Sequence, residues 1–116
     1  MKILDVDPLP AADAAGLTGH LAEGERVDAA FVSPTGSVLF TALRILVVTR
    51  ENLLEEKVEA ASWPYREIRR FSIQDSEDGR AGLRLWLGEE PQPLHLRARP
   101  DVDLKPLQRL LAERIG

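Results

Sequence analysis

Leu94-His95-Leu96-Arg97-Ala98-Arg99-Pro100-Asp101-Val102-Asp103-Leu104-Lys105-Pro106-Leu107 changes its period part-way, and that change decides the fold class. Before Pro100, apolar Leu94, Leu96 and Ala98 alternate with His95, Arg97 and Arg99, the mark of a half-buried strand. After it, Leu104, Leu107, Leu111 and Ile115 recur at helical spacing, with Leu110 widening the apolar stripe. Asp103 is a good N-cap candidate, and Pro106 falls in the first turn, where a missing N–H costs little. The spacing predicts a last strand followed by an amphipathic helix near residues 104–115.

Working back from there, the period stays at two. Leu83, Leu85 and Leu87 point one way, Arg84 and Trp86 the other. A turn at Gly88 to Pro93 follows this strand, and the polar turn Ser76-Glu77-Asp78-Gly79 precedes it. Ile68 to Asp75 reads as a strand with Phe71 and Ile73 on one face. Another, from about Glu56 to Trp63, ends at Pro64, which cannot donate to a ladder. Arg44 to Arg50 is rich in β-branched residues, and about two residues separate it from Ser37 to Thr41, so the two form a hairpin. Ser33-Pro34-Thr35-Gly36 is a turn by composition, preceded by a strand with Val27, Ala29 and Phe31 on one face. The total is seven short strands and one helix: a mainly β fold, an antiparallel sandwich or partly open barrel capped by a C-terminal helix. Residues 1–23 read as an N-terminal extension with a weak helix within Pro10 to Ala22, and 24–116 as the domain.

Composition narrows the function. The 116 residues carry 15 basic and 19 acidic side chains, a net charge of −4, with the two signs interleaved. Nucleic acid is therefore not an expected partner, because phosphate backbones are held by clustered Lys and Arg. The absence of cysteine excludes disulfides, thiolate metal sites and cysteine nucleophiles. Met1 to Pro10 lacks the layout of a signal peptide, and apolar runs reach only strand length, so the expected location is cytoplasmic.

The motifs also resemble a family. Phe40-Thr41-Ala42-Leu43-Arg44-Ile45-Leu46-Val47, Ser62-Trp63-Pro64-Tyr65-Arg66-Glu67-Ile68 and Phe71-Ser72-Ile73 look like the bacterial pleckstrin-homology domains. So does Leu83-Arg84-Leu85-Trp86-Leu87-Gly88 through Pro93, with the Leu-rich helix behind it. The resemblance covers residues 24–115 and implies seven strands and a terminal helix, no defined biochemical role, and ring-shaped homo-oligomers. Two positions depart from the family pattern: Gly36-Ser37 stands where an Asp is common, and Gly79-Arg80-Ala81-Gly82 where an acidic stretch is common.

No catalytic site is expected. His20 and His95 are the only neutral-pH bases, no Gly-x-Ser-x-Gly elbow occurs, and no His/Glu pair has metal-ligand spacing. Asp75-Ser76-Glu77-Asp78-Gly79 fails the calcium-loop pattern, with glycine fifth and Trp86 at position twelve. No cofactor is expected. Trp86, Arg84 and Trp63 are candidates for an interaction surface, since Trp and Arg are favoured at interfaces. Arg66, Arg69 and Arg70 form the densest basic cluster and are weaker candidates for an anionic headgroup or other anion. Eukaryotic relatives of the resembled fold hold headgroups with Lys and Arg in the loop between the first two strands. That loop, read as Ser33 to Gly36, has neither, so membrane lipid is not an expected partner. The reading favoured is a non-enzymatic interaction or scaffold domain whose partners are itself, as a cyclic homo-oligomer, and an unidentified protein.

Overall fold

Alternating stretches become strands wherever one face can be buried, and this chain has one more such stretch than the seven expected. The computed structural model describes residues 2–10, 13, 19–50, 58–75, 81–99 and 101–115. In chain order the elements are β1 (Lys2–Leu9), β2 (Val27–Ser33), β3 (Gly36–Thr41), β4 (Arg44–Arg50) and β5 (Val58–Pro64). A 3-10 turn η1 (Tyr65–Glu67) leads to β6 (Ile68–Asp75), β7 (Ala81–Leu87), β8 (Leu94–Ala98) and the helix α1 (Lys105–Ile115). Seven of the strands and the helix match the sequence reading within a few residues at their ends. The eighth, β1, does not: it lies in what the sequence suggested was an extension. The turn at Ser76–Gly79, the loop opening at Asn52, and residues 11–12 and 14–18 of the helix expected within Pro10–Ala22 lie outside the described residues.

The chain divides into two compact units, Met1–Asp7 with Trp63–Gly116, and Pro8–Ser62. In the first, the strand order is β1-β8-β7-β6. β6/β7 and β7/β8 are antiparallel, but β1 runs parallel to β8, placing Leu4 opposite Leu96 and Asp5 opposite Arg97. The expectation of a wholly antiparallel sheet is corrected at this pair. Leu4 and Val6 are buried while Asp5 and Asp7 are exposed, so period two was present in β1. Its partner, however, lies some ninety residues downstream. Asp5 and Asp7 meet Arg97 and Arg99 across the pair, at 2.9 and 3.0 Å.

Leu83, Leu85, Leu87, Leu94 and Leu96 fill the inner face of this unit, joined by Leu104 and, from α1, Leu107 and Leu111. The helix packs on η1, where the Arg114 guanidinium sits 5.5 Å from the centre of the Tyr65 ring. Asp103 accepts a hydrogen bond from the Lys105 N–H at 3.0 Å, and the Leu104 carbonyl accepts from Gln108. The capping side chain thus comes from one residue before the N-cap position.

In the second unit β3 pairs antiparallel with both β2 and β4. Val38, Leu39, Phe40 and Ile45 are wholly buried, so both faces of this hairpin are dry. Phe31 and Phe40 meet edge to face on one side, ring centres 6.1 Å apart. On the other, Ala30, Leu39, Leu46 and Val48 pack under Leu9, Leu21 and Val27. Gly36 pairs with Thr49, and a Cβ there would collide with the Val48 carbonyl oxygen.

Leu111→Ala and Leu107→Ala are each expected to cost about 2–5 kcal/mol in chemical denaturation, as for other buried leucines. Losses below ~1 kcal/mol at both positions would show that α1 is not part of this core.

Candidate functional site

Between Ile68 and Arg70 the pairing of β6 with β7 slips by one residue: Ile68 faces Leu87, but Arg70 faces Trp86. A bulge of this kind spends two residues against one and re-aims side chains. Ile68 stays buried, and Arg69 and Arg70 are both exposed. The Arg70 guanidinium lies 4.7 Å from the centre of the Trp86 ring, a cation–π contact, while Arg69 donates to the Glu90 carbonyl oxygen.

The register fixes the rest of this outer face. Ser72 stands opposite Arg84, and Arg84 opposite His95 on β8. Trp86, Arg84 and His95 are half-buried. Gly82 leaves a gap beside Arg84, and the His95 imidazole leans over it, Nε2 lying 3.0 Å from where a Cβ on Gly82 would be. Burial, with the charges of Arg84 and Arg97, pushes the His95 pKa down, and Asp5 opposes that weakly.

The structure therefore gathers some of the sequence candidates and not others. Trp86, Arg84 and Arg70 share one face. Arg66 is exposed in η1, off the sheet. Trp63 belongs to β5, with its indole Nε1 3.6 Å from the Cβ position of Gly88. Ser72 and Gly82 belong to the face but were not singled out, and His95, weighed only as a base, joins them. The strict alternation of β7 and β8 carried the signal for His95; nothing local announced the bulge.

The match to the bacterial PH domain family model spans residues 5–115. The chain belongs to this family. YjqA of Bacillus subtilis (strain 168), itself described as uncharacterised, is 32% identical over 95 residues, 79% of this chain and 76% of its own. The crystal structure of a DUF1696 family protein with a pleckstrin-homology domain from Shewanella loihica PV-4 superposes with a TM-score of 0.79 at 21% identity. It covers 97% of this chain and 98% of that one. A pleckstrin-homology domain from Shewanella amazonensis SB2B gives 0.66 at 25% identity, covering 88% and 94%.

As a bacterial PH domain with β1 at its N-terminus, the chain has its first interstrand loop at residues 10–26 rather than at Ser33–Gly36. Arg26 is the only Lys or Arg in that loop, and it pairs with Asp28 at 2.7 Å. The Glu25 carboxylate also lies there. Arg44 holds it bidentately at 3.0 Å, the Thr41 hydroxyl donates to it at 2.6 Å, and the Ala22 N–H at 2.9 Å. Chiefly through Arg44, its pKa falls from 4.5 to about 2 despite burial. Its partners are all groups of its own chain, so this constellation fastens the loop to the β3–β4 turn.

Glu25→Gln is expected to cost about 3 kcal/mol near neutrality. That is the low end for breaking a buried pair, since the Arg44 side chain keeps 26% exposure and regains water. A carboxyl whose pKa is lowered on folding stabilises above its unfolded value and loses that contribution as the pH falls through its folded one. The gap between wild type and variant should thus close from pH 4.5 down to about 2 in urea titrations. A gap that is constant with pH would show that the carboxylate's charge plays no part.

Proposed function

We propose that this bacterial PH domain is a non-enzymatic interaction domain that self-associates into a cyclic homo-oligomer in the cytoplasm. The supporting observation is β5. It ends the strand order of its unit, and Val58, Glu59, Ala60 and Ser62 are exposed along it, Val58 at 48%. Among these described residues Glu59 is the one charge. A terminal strand this poor in charge offers its backbone to another chain unless it is covered. The other terminal strand, β6, adjoins the Trp86 and Arg84 face, whose residue types are favoured in interfaces. Contact between β5 of one copy and β6 of the next is head-to-tail, and such contacts close into rings when the rotation permits. Among the described residues no group of three or more His, Asp or Glu is placed to hold a metal, and no helix is long and apolar enough to cross a membrane.

Light scattering after size exclusion tests this over a roughly hundredfold range of concentration. The expected mass is a multiple of 12.9 kDa that falls for Trp86→Ala and for Ala60→Pro, each variant keeping its strand circular dichroism. A mass fixed at one chain at every concentration would falsify the proposal.

A further inference from the structure

We propose that Arg84, Ser72 and His95, with Arg70 and Trp86 beside them, bind a tetrahedral oxyanion, the phosphate or sulfate group of a small soluble molecule, on the outer face of β6, β7 and β8. The case begins with how arginines are neutralised in this chain. Arg26, Arg44, Arg97 and Arg99 each hold a carboxylate at 3.0 Å or closer. Among the described residues, Arg66, Arg69, Arg70, Arg84 and Arg109 hold none, and of these five Arg84 alone is not fully exposed, although the chain as a whole carries an excess of acid. Arg84 is half-buried, and its cation gains from an anion wherever burial thins the water around it. Its neighbours supply no such charge: Ser72 faces it from β6, His95 from β8, and Trp86 follows two residues on along β7.

Ser72 adds an independent observation. Its hydroxyl is buried and has no hydrogen-bond partner among the described residues. Buried hydroxyls are nearly always paired, so a ligand oxygen facing Arg84 would satisfy both groups. The donors come from three adjacent strands, which suits an anion with three or more oxygens better than the flat pair of a carboxylate. The absence of a side chain at Gly82 lets the imidazole settle beside Arg84, and a Cβ there would push into it.

His95 gives the site a pH response. The charged groups acting on it are Arg84 on β7, Arg97 on its own strand and Asp5 on β1. The two arginines and burial oppose its protonation. An anion between Arg84 and His95 screens the nearer guanidinium and favours the imidazolium, so binding and protonation reinforce one another. The sign is definite: affinity rises as the pH falls.

The chain has two histidines, so imidazole resonances are assigned by one variant, His95→Asn, with His20 as internal control. Sulfate is the probe, because its charge is constant over the range. Saturating sulfate is expected to raise the His95 pKa by about one unit, which by linkage is about tenfold tighter binding to the protonated form. His20 should not move. Arg84→Gln should abolish the shift. His95→Asn should still bind sulfate near pH 7.5, read from the Ser72 and Arg84 amides, but without tightening near pH 5.5. A His95 pKa indifferent to sulfate overturns the site, as does an equal shift in folded Arg84→Gln. If Arg84→Gln does not fold, tightening of sulfate at low pH that survives in His95→Asn overturns it instead. Phosphoinositide vesicles test the source. Co-sedimentation that His95→Asn weakens would place the phosphate on a lipid and overturn the assignment to a soluble molecule.

Discussion

Both faces of the β3–β4 hairpin are dry, and much of the Pro8–Ser62 unit follows from that constraint. A strand buried on one side needs one layer of cover; Leu39 and Phe40, adjacent in sequence and facing opposite ways, are both fully buried and need two. The β1–β2 loop provides one of them through Leu21. A loop has little packing of its own to hold it in place. The Glu25 carboxylate does so, reaching Arg44 and Thr41 on the hairpin and the Ala22 N–H within the loop. Arg44 also donates to the His20 carbonyl oxygen at 2.8 Å, and the Ala42 N–H to the Arg26 carbonyl oxygen, so side chain and backbone fasten the same crossing. The charge is buried, but each of its lone-pair directions is used, the condition under which a buried ion pair is tolerated.

Local order was largely legible in the sequence. Leu83–Leu87, Leu94–Ala98 and the leucines of α1 declare their period because a single face of each must be apolar, and that requirement is written residue by residue. β1 escaped because two aspartates and two prolines within its first ten residues suggested a leader, and because its justification is Leu96 and Arg97, far along the chain. Glu25 escaped for the same reason: its meaning depends on Arg44, across two strands. The hairpin bounded by Thr41 and Arg44, by contrast, was legible from its short spacing, and the Thr41 hydroxyl accepts from the Leu43 and Arg44 N–H groups within one tight bend.

The candidate surface divides along the same line. That Trp86 and Arg84 share a face follows from alternation alone. That Arg70 joins them follows from a one-residue slip in pairing, which leaves no trace in local composition. The three arginines that read as one basic cluster are separated by the fold into an exposed turn residue, a carbonyl-bound side chain and a cation over an indole ring. Density of charge in sequence therefore overstates its density in space, while Arg84, isolated in sequence, stands at the centre of the face.

The parallel pair of β1 with β8 has a consequence for the order in which the chain is made. During synthesis β1 emerges first and the strand it is registered with, Leu94–Ala98, emerges almost last. For most of translation Leu4 and Val6 lack the Leu96 and Ala98 they are registered with, whereas β2, β3 and β4 close with their immediate neighbours. Contacts so distant along the chain form slowly, because loop closure is paid before pairing rewards it. The alternating aspartates of β1 then serve a second purpose. Until Arg97 and Arg99 arrive, Asp5 and Asp7 place negative charge along the edge that β8 will cover and discourage that edge from pairing with the nascent strands of neighbouring ribosomes.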